Sequence, residues 1–420
     1  MATVIQPVAS GTRPMASGTP RLPLLRTALT LVLLAVLGWS FGVATVWAQK
    51  AGDAKGLTKA EVMAILRNRA VPAGQQAEFE NYFTKGFLLQ FAVPAPPADH
   101  FSRARQQLKI YLNTGRSGQP HDDLNRMTLA KMKEIVGGSK YDSAAKVNAM
   151  YVIGELNDVD EPGKSKPLPE AFPLLWVVTQ SPKFKDELKI AANVGLDRFA
   201  AAGTLQKKDD VAKFMLALVK QKDPPPKRSP DGQYWMRRQA AAILVKMGGG
   251  AANTEVINAI AAIAADPTAR PTMRCEMAQL IGQSKPTPAA KVDVQALTGS
   301  LGHLAVDICN AELDQAQQEK RDLKMRLIMY TLYSVREALG GLQAAAADTP
   351  HKKLVGDLFN KVKSIHADLD DPELSTNTMA ADVAKKIKEL QGMLPAKAPV
   401  AAQEVAAAPA EKKPVESAKQ

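Results

Sequence analysis

Cysteine is almost absent: the chain holds two, Cys275 and Cys309, in 420 residues. They form no Cys-x-x-Cys or Cys-x-x-Cys-His pattern, so neither a thioredoxin-type redox motif nor attached haem is indicated. Histidine is scarce as well. None of His100, His121, His303, His351 and His366 makes a His-x-x-x-His or His-Glu-x-x-His pair, and the usual zinc spacings are missing. No Gly-x-Ser-x-Gly elbow, phosphate-binding loop or dinucleotide fingerprint occurs. No catalytic, cofactor or metal residue is therefore assigned, and a non-enzyme is expected. Aromatic residues are few, 5% against 46% hydrophobic overall. The apolar surface is then mostly Ala, Leu, Val, Ile and Met. Small aliphatic side chains suit helices stacked closely on helices, and they suit a β-sandwich poorly, since strands favour aromatic and β-branched residues.

What the chain does have is a repeat between Gly138 and Gln283. Turns at Gly138, Ser181-Pro182, Asp223-Pro224 and Asp266-Pro267 follow one another at intervals of 43, 42 and 43 residues. A basic residue lies eight positions past the turn, at Lys146, Lys189 and Arg274. In the third unit the base is Arg237 or Arg238, displaced by the insertion Pro225-Pro226-Lys227-Arg228-Ser229-Pro230. Ala-rich helical segments surround or follow each base: KVNAMYVIGELND, KIAANVGLDRFAAAG, MRRQAAAILVKMGGG and MRCEMAQLIGQ. A fixed period near 40 residues with two helical segments per period is the signature of an α-solenoid. The expected fold is all-α: a right-handed superhelical solenoid of helix pairs, with extra helices at both ends.

Asp-Pro closing one helix, followed by a base and an Ala-rich second helix, resembles the HEAT repeat. ADPTARPTMRCEMAQLIG carries the likeness best, with QAAAILVKMG and NAMYVIGELND behind it. The third unit departs through its Pro-rich insertion, and the first lacks the Asp-Pro turn. HEAT arrays mostly serve as protein-binding scaffolds, so the resemblance implies a protein or peptide partner. Some HEAT-like proteins are lyases acting on bilins, but no residues here match such a site.

Before the repeat, Arg13, Arg21 and Arg26 precede an uncharged run from Thr27 to Ala48. Val46 and Ala48 suit a signal peptidase cutting between Ala48 and Gln49. The same run is long enough to stay as a membrane anchor, for which ~20 apolar residues suffice. Both outcomes place the body outside the cytoplasm, in the periplasm or cell envelope, with the membrane reached through this segment or through the basic surface. The net charge is +12; residues 1–48 carry three arginines and no acid, so the remainder is +9. A basic balance can favour anionic surfaces, but a soluble surface needs net charge in any case, and nucleic acid is not indicated for an exported body.

The divisions expected are 1–48 as signal or anchor, 49–121 as an N-terminal helical region, 122–290 as the repeats, 291–394 as a helical cap, and 395–420 as a disordered Ala/Pro/Lys tail. Thr58 and Glu61 form a capping box at the first helix. A second helix spans Gln76 to about Phe91, and its aromatic stripe reads as a core face. Asp122 is expected to cap the helix that follows; His121-Asp122-Asp123 also resembles half a metal site. Tyr234, Trp235, Arg237 and Arg238, beside the insertion, are the candidate partner contacts, with packing against the next repeat as the alternative for the two rings. Cys275 and Cys309 form either one disulfide or two buried apolar contacts. The functional expectation is an exported, non-catalytic repeat scaffold, with a membrane-tethered structural protein of the envelope as the first alternative and a HEAT-like lyase-type enzyme as the second.

Overall fold

Helix α1 (Lys59–Asn68) starts at the capping box the sequence announces. Thr58 accepts from the Glu61 amide, and the Glu61 carboxylate accepts from the Thr58 amide at 2.7 Å. The computed structural model describes residues 56–248, 253–347, 350–370 and 376–396. Residues 1–55 lie outside them, including the Thr27–Ala48 run and the Ala48–Gln49 junction. So does the tail from residue 397.

The stretch from Gln76 is helical as expected but changes pitch twice. Helix α2 (Gln76–Asn81) passes into a π turn (Tyr82–Gly86) and then a 3-10 turn (Phe87–Ala92). Gly86, at φ −122° and ψ −91°, is where the helical path breaks. Phe79, Phe83, Phe87 and Phe91 are all buried, with edge-to-face contacts between successive rings. Tyr111 of α3 (His100–Gly115) wedges against Phe83 and Phe87 and bonds Tyr82 through its hydroxyl at 2.8 Å. The stripe is core.

Helix α4 (Gln119–Gly137) begins three residues earlier than Asp122. Pro120 at its N-terminus supplies a fixed φ where no amide partner is needed. Asp122 therefore sits in the first turn instead of capping it. Helix α5 (Ser143–Glu155) is capped by Asp142, which accepts from Ala145 N at 2.7 Å. Between α5 and α6 (Phe172–Gln180) a small hairpin pairs β1 (Asn157–Val159) with β2 (Lys166–Pro167), antiparallel. Then follow α7 (Asp186–Ala201), α8 (Lys208–Lys220), α9 (Pro230–Lys246), α10 (Thr254–Ala265), α11 (Pro271–Ser284), α12 (Val294–Glu319), α13 (Met325–Ala346), α14 (Lys352–Leu369) and α15 (Thr376–Gly392). Among the described residues the chain is all-helical apart from the hairpin.

The helices pack in pairs: α4 with α5, α6 with α7, α8 with α9, and α10 with α11. The second helix of each pair also packs on the next second helix, α5 on α7, α7 on α9 and α9 on α11. Helices α5 and α7 approach so closely that Gly154 and Gly195 meet backbone to backbone.

The sequence period is lost after Lys291, yet the pairing continues. Helix α12 packs on α10 and α13 on α11, so the two occupy the places of a fifth pair. They are longer than the earlier helices and lack the Asp-Pro turn. Their junction is pinned instead by Glu312, a buried carboxylate bonded by Arg321 at 2.5 and 3.1 Å and by the Lys324 amide at 2.7 Å. Helix α14 covers α13, and α15 lies on α12 and α14. Leu394 and Pro395 then cross α12 over Gly302 and Gly299, and Pro395 O bonds His303 Nε2 at 3.0 Å. Pro395 and Ala396, expected to open the disordered tail, are thus placed against the core.

Candidate functional site

The periodic bases have an internal task in two of the units. Arg237 of α9 donates from Nε to Val219 O at 2.8 Å, and Arg274 of α11 does the same to Ala264 O at 2.9 Å. Val219 and Ala264 are the next-to-last residues of α8 and α10. Carbonyls at a helix C-terminus have no partner within the helix and carry its negative dipole end. A buried guanidinium from the second helix of the same pair satisfies them. Thr179, next to last in α6, instead meets Asn193 of α7, side chain to side chain at 3.0 Å. Arg237 is only 6% exposed. It is removed from the accessible rim where the sequence placed it: its Nε is engaged inside, and its Nη1 is buried without a hydrogen-bond partner.

The other predicted contacts divide. Tyr234 and Trp235 are half-buried against the core, and Tyr234 reaches Thr268 O, between α10 and α11, at 3.5 Å. That bond carries Tyr234 to the neighbouring unit. The insertion beside them is also tied down: Arg228 clamps Asp186 at the start of α7 with bonds of 2.7 and 2.9 Å. Arg238 remains accessible. It crosses to Glu276 of α11 at 2.6 Å, and Gln279 of α11 bonds Ser334 of α13 at 2.8 Å.

Gln279 also lines a groove of about 630 Å³ beyond Glu276 on α11. Gln279, Tyr333, Arg336, Phe359 and Lys363 are among its walls. Tyr333 is 39% exposed, and the Arg336 guanidinium lies over its ring, 5.1 Å from the centroid. Tyr333 also lines a second hollow, of about 490 Å³, together with Met325, Met329, Tyr330, His366 and Met379. Burial, together with the charge of Arg336, holds the His366 imidazole below its ordinary pKa, with Asp370 opposing. Sequence reasoning passed over this groove because its walls come from α11, α13 and α14, two of which lie beyond the repeat.

A second polar constellation gathers around the hairpin. His121, fully buried at the start of α4, places Nε2 2.9 Å from Asp160 Oδ2 and Nδ1 3.4 Å from Asp122 Oδ1. Asn157 donates to Asp160 at 2.7 Å, Asn125 to Asn157 O at 2.8 Å, and Arg198 of α7 to Asn157 Oδ1 at 2.7 Å. Arg198 also bonds Gly154 O. Burial opposes the charge on His121, but the hydrogen bonds and charges of Asp160 and Asp122 prevail and raise its pKa above the ordinary 6.5. Burial lowers that of Arg198, and Glu155 and Asp160 offset part of the effect. The His121 ring thus faces Asp160, 39 residues on, rather than forming a metal half-site with Asp123. Asp123 bonds Arg126 and Gln76. Among the described residues no group of three His, Cys, Asp or Glu side chains is placed to hold a metal.

No protein-family model matches this chain. Comparison with characterised proteins finds none significantly similar.

Cys275 and Cys309 are both free and fully buried. No bond joins the two sulfurs here, and both side chains are enclosed in the core. Cys275 Sγ donates to Thr331 Oγ1 at 3.5 Å. Burial raises both thiol pKa values, that of Cys309 to about 12. Among the described residues no helix is long and apolar enough to cross a membrane.

Proposed function

We propose that this chain is an exported, non-catalytic scaffold of HEAT-like helix pairs, wound as a right-handed α-solenoid, that binds a protein or peptide partner along its second-helix face. The observation that carries the reading is the groove between α11, α13 and α14. It combines an exposed aromatic ring, a guanidinium stacked on that ring and a neighbouring methionine-lined hollow. Aromatic and arginine side chains supply most of the energy at protein interfaces, and methionines adapt to irregular partners. Arg336 and Lys363 stand against Glu337 in the groove wall, which favours a segment that is apolar with some acidic residues.

The repeat logic supports the same reading. Each pair contacts mainly its neighbours, so one face is free to vary while the core is kept. Export rests on the uncharged Thr27–Ala48 run with its small-residue junction.

The test is affinity capture from an envelope extract with the wild-type chain and with Tyr333→Ala/Arg336→Glu. A protein retained by the first and lost by the second supports the groove. Identical captures, or none, remove it. N-terminal sequencing of the captured bait separates a free scaffold, beginning at Gln49, from a tethered structural protein with residues 1–48 intact.

A further inference from the structure

A cavity of about 300 Å³ lies between α3, α5, the hairpin and α7, away from the groove. Its apolar wall is Leu108, Leu112, Val152 and Leu156, and its polar wall is more basic than acidic. Arg198, Lys109 and Arg105 face Glu155 and Asp160. The two acids differ in what they have left to give. Asp160 is already bonded to His121 and Asn157, while Glu155 meets Arg105 only loosely, at 3.6 Å.

The cations are under-used. Arg198 makes its hydrogen bonds to neutral acceptors, Gly154 O and Asn157 Oδ1, and has no ion pair within 4 Å among the described residues. Arg105 stacks on the Tyr151 ring, 5.3 Å from the centroid, and its Nε is buried without a hydrogen-bond partner. A buried donor left unpaired is costly and calls for an explanation. Arg198, half-buried with Glu155 and Asp160 near it but neither bonded to it, calls for the same one. An anion would answer both, and the leucine and valine wall requires that it carry an apolar body. The volume falls at the lower end of small-ligand pockets.

We propose that this cavity binds a carboxylate joined to a short apolar group, with the carboxylate held by Arg105, Arg198 and Lys109. Free apolar carboxylic acids and the C-terminus of a peptide ending in an apolar residue share this chemistry. The site is independent of the second-helix groove, and either can fail without the other.

The test is isothermal titration of the intact chain with hexanoate, with hexanamide, and with a pentapeptide ending in leucine as the free acid and as the amide. Saturable binding of hexanoate or of the peptide acid, without binding of the matching amide, is the expected result. Whichever acid binds identifies the source. Arg198→Gln also disturbs the bond to Gly154 O, so the deciding variants are Lys109→Glu and Arg105→Gln. Each is expected to weaken binding about tenfold, as for a lost charge-assisted hydrogen bond, with an unchanged far-ultraviolet spectrum. No saturable binding by either acid, equal binding of acid and amide, or wild-type affinity in both variants would overturn the proposal.

Discussion

Gly195→Ala sets two effects of opposite sign against each other at the contact between α5 and α7. Alanine in the middle of a helix is favoured over glycine by about 1 kcal/mol where nothing opposes it. At Gly195 something does. A Cβ there would stand 2.8 and 2.9 Å from the Leu175 methyls and 3.0 Å from Gly154 Cα. The leucine can turn aside, but the backbone of α5 cannot, so the helices must part. Overpacking of this kind costs typically about 1–3 kcal/mol, and the double contact argues for the upper end. The net expectation is a loss of about 2 kcal/mol. Gly154→Ala meets Gly195 Cα at 2.8 Å and should behave alike. Once either helix has moved, the second alanine should cost less, so the double variant should fall short of the sum. Gly356→Ala, within α14 and with nothing within 4 Å of the added carbon, is the control; it should gain up to about 1 kcal/mol. Hydrogen exchange of the α5 and α7 amides reads the local opening energy directly, where one global melting point would average over units. If Gly195→Ala protects those amides as Gly356→Ala protects α14, the close approach is refuted.

Arg274→Met keeps the side-chain volume but strips Ala264 O of its donor. We expect a loss of about 1–2 kcal/mol, seen as faster exchange in α10 and α11, whereas Arg238→Ala at its half-exposed pair should stay within about 1 kcal/mol in urea titrations. His121 holds its proton more tightly in the folded chain, so its linked stability is fully present below about pH 6.5 and is lost as pH rises through the higher folded value. Urea midpoints should therefore fall between pH 6 and pH 8 (values chosen around that ordinary pKa), and His121→Gln should flatten that part of the profile. Glu312 is shifted the other way, chiefly by Arg321, so its contribution holds above pH 4.5 and disappears as pH falls through the lowered folded value. Glu312→Gln should cost about 2 kcal/mol at neutral pH and lose acid sensitivity in that range, measured by the same titration.

Local chemistry made part of the fold readable in advance. Thr58 and Glu61 lie three residues apart, so their reciprocal caps are written in the sequence. The phenylalanines at every fourth position from Phe79 declare a buried face by the same kind of short-range spacing. The turns at Gly138, Ser181-Pro182, Asp223-Pro224 and Asp266-Pro267 mark the pairs up to α11. Beyond them α12 and α13 keep the packing without the turn, holding their junction through Glu312 and Arg321, nine residues apart and with no recognisable motif. The candidate sites were harder to read. His121, Asp160 and Arg198 come from three elements, each nearly a full period from the next, and no local pattern joins them. Arg237 and Arg238 are neighbours in sequence, yet one points to a carbonyl of the core and the other to Glu276. The period shows that a base recurs without showing which way it turns.

The two cysteines make the protein a recorder of its own opening. With both thiols enclosed and their ionisation suppressed, a labelling reagent must wait for α11 or α12 to come away from its neighbours. The modification rate then reports how often that stretch opens rather than how reactive a thiol is. In an oxidising compartment the same waiting applies to oxygen and disulfide exchange. A molecule that has opened and been oxidised keeps the mark after it closes, so the share of modified protein in an old preparation would date its history of partial unfolding.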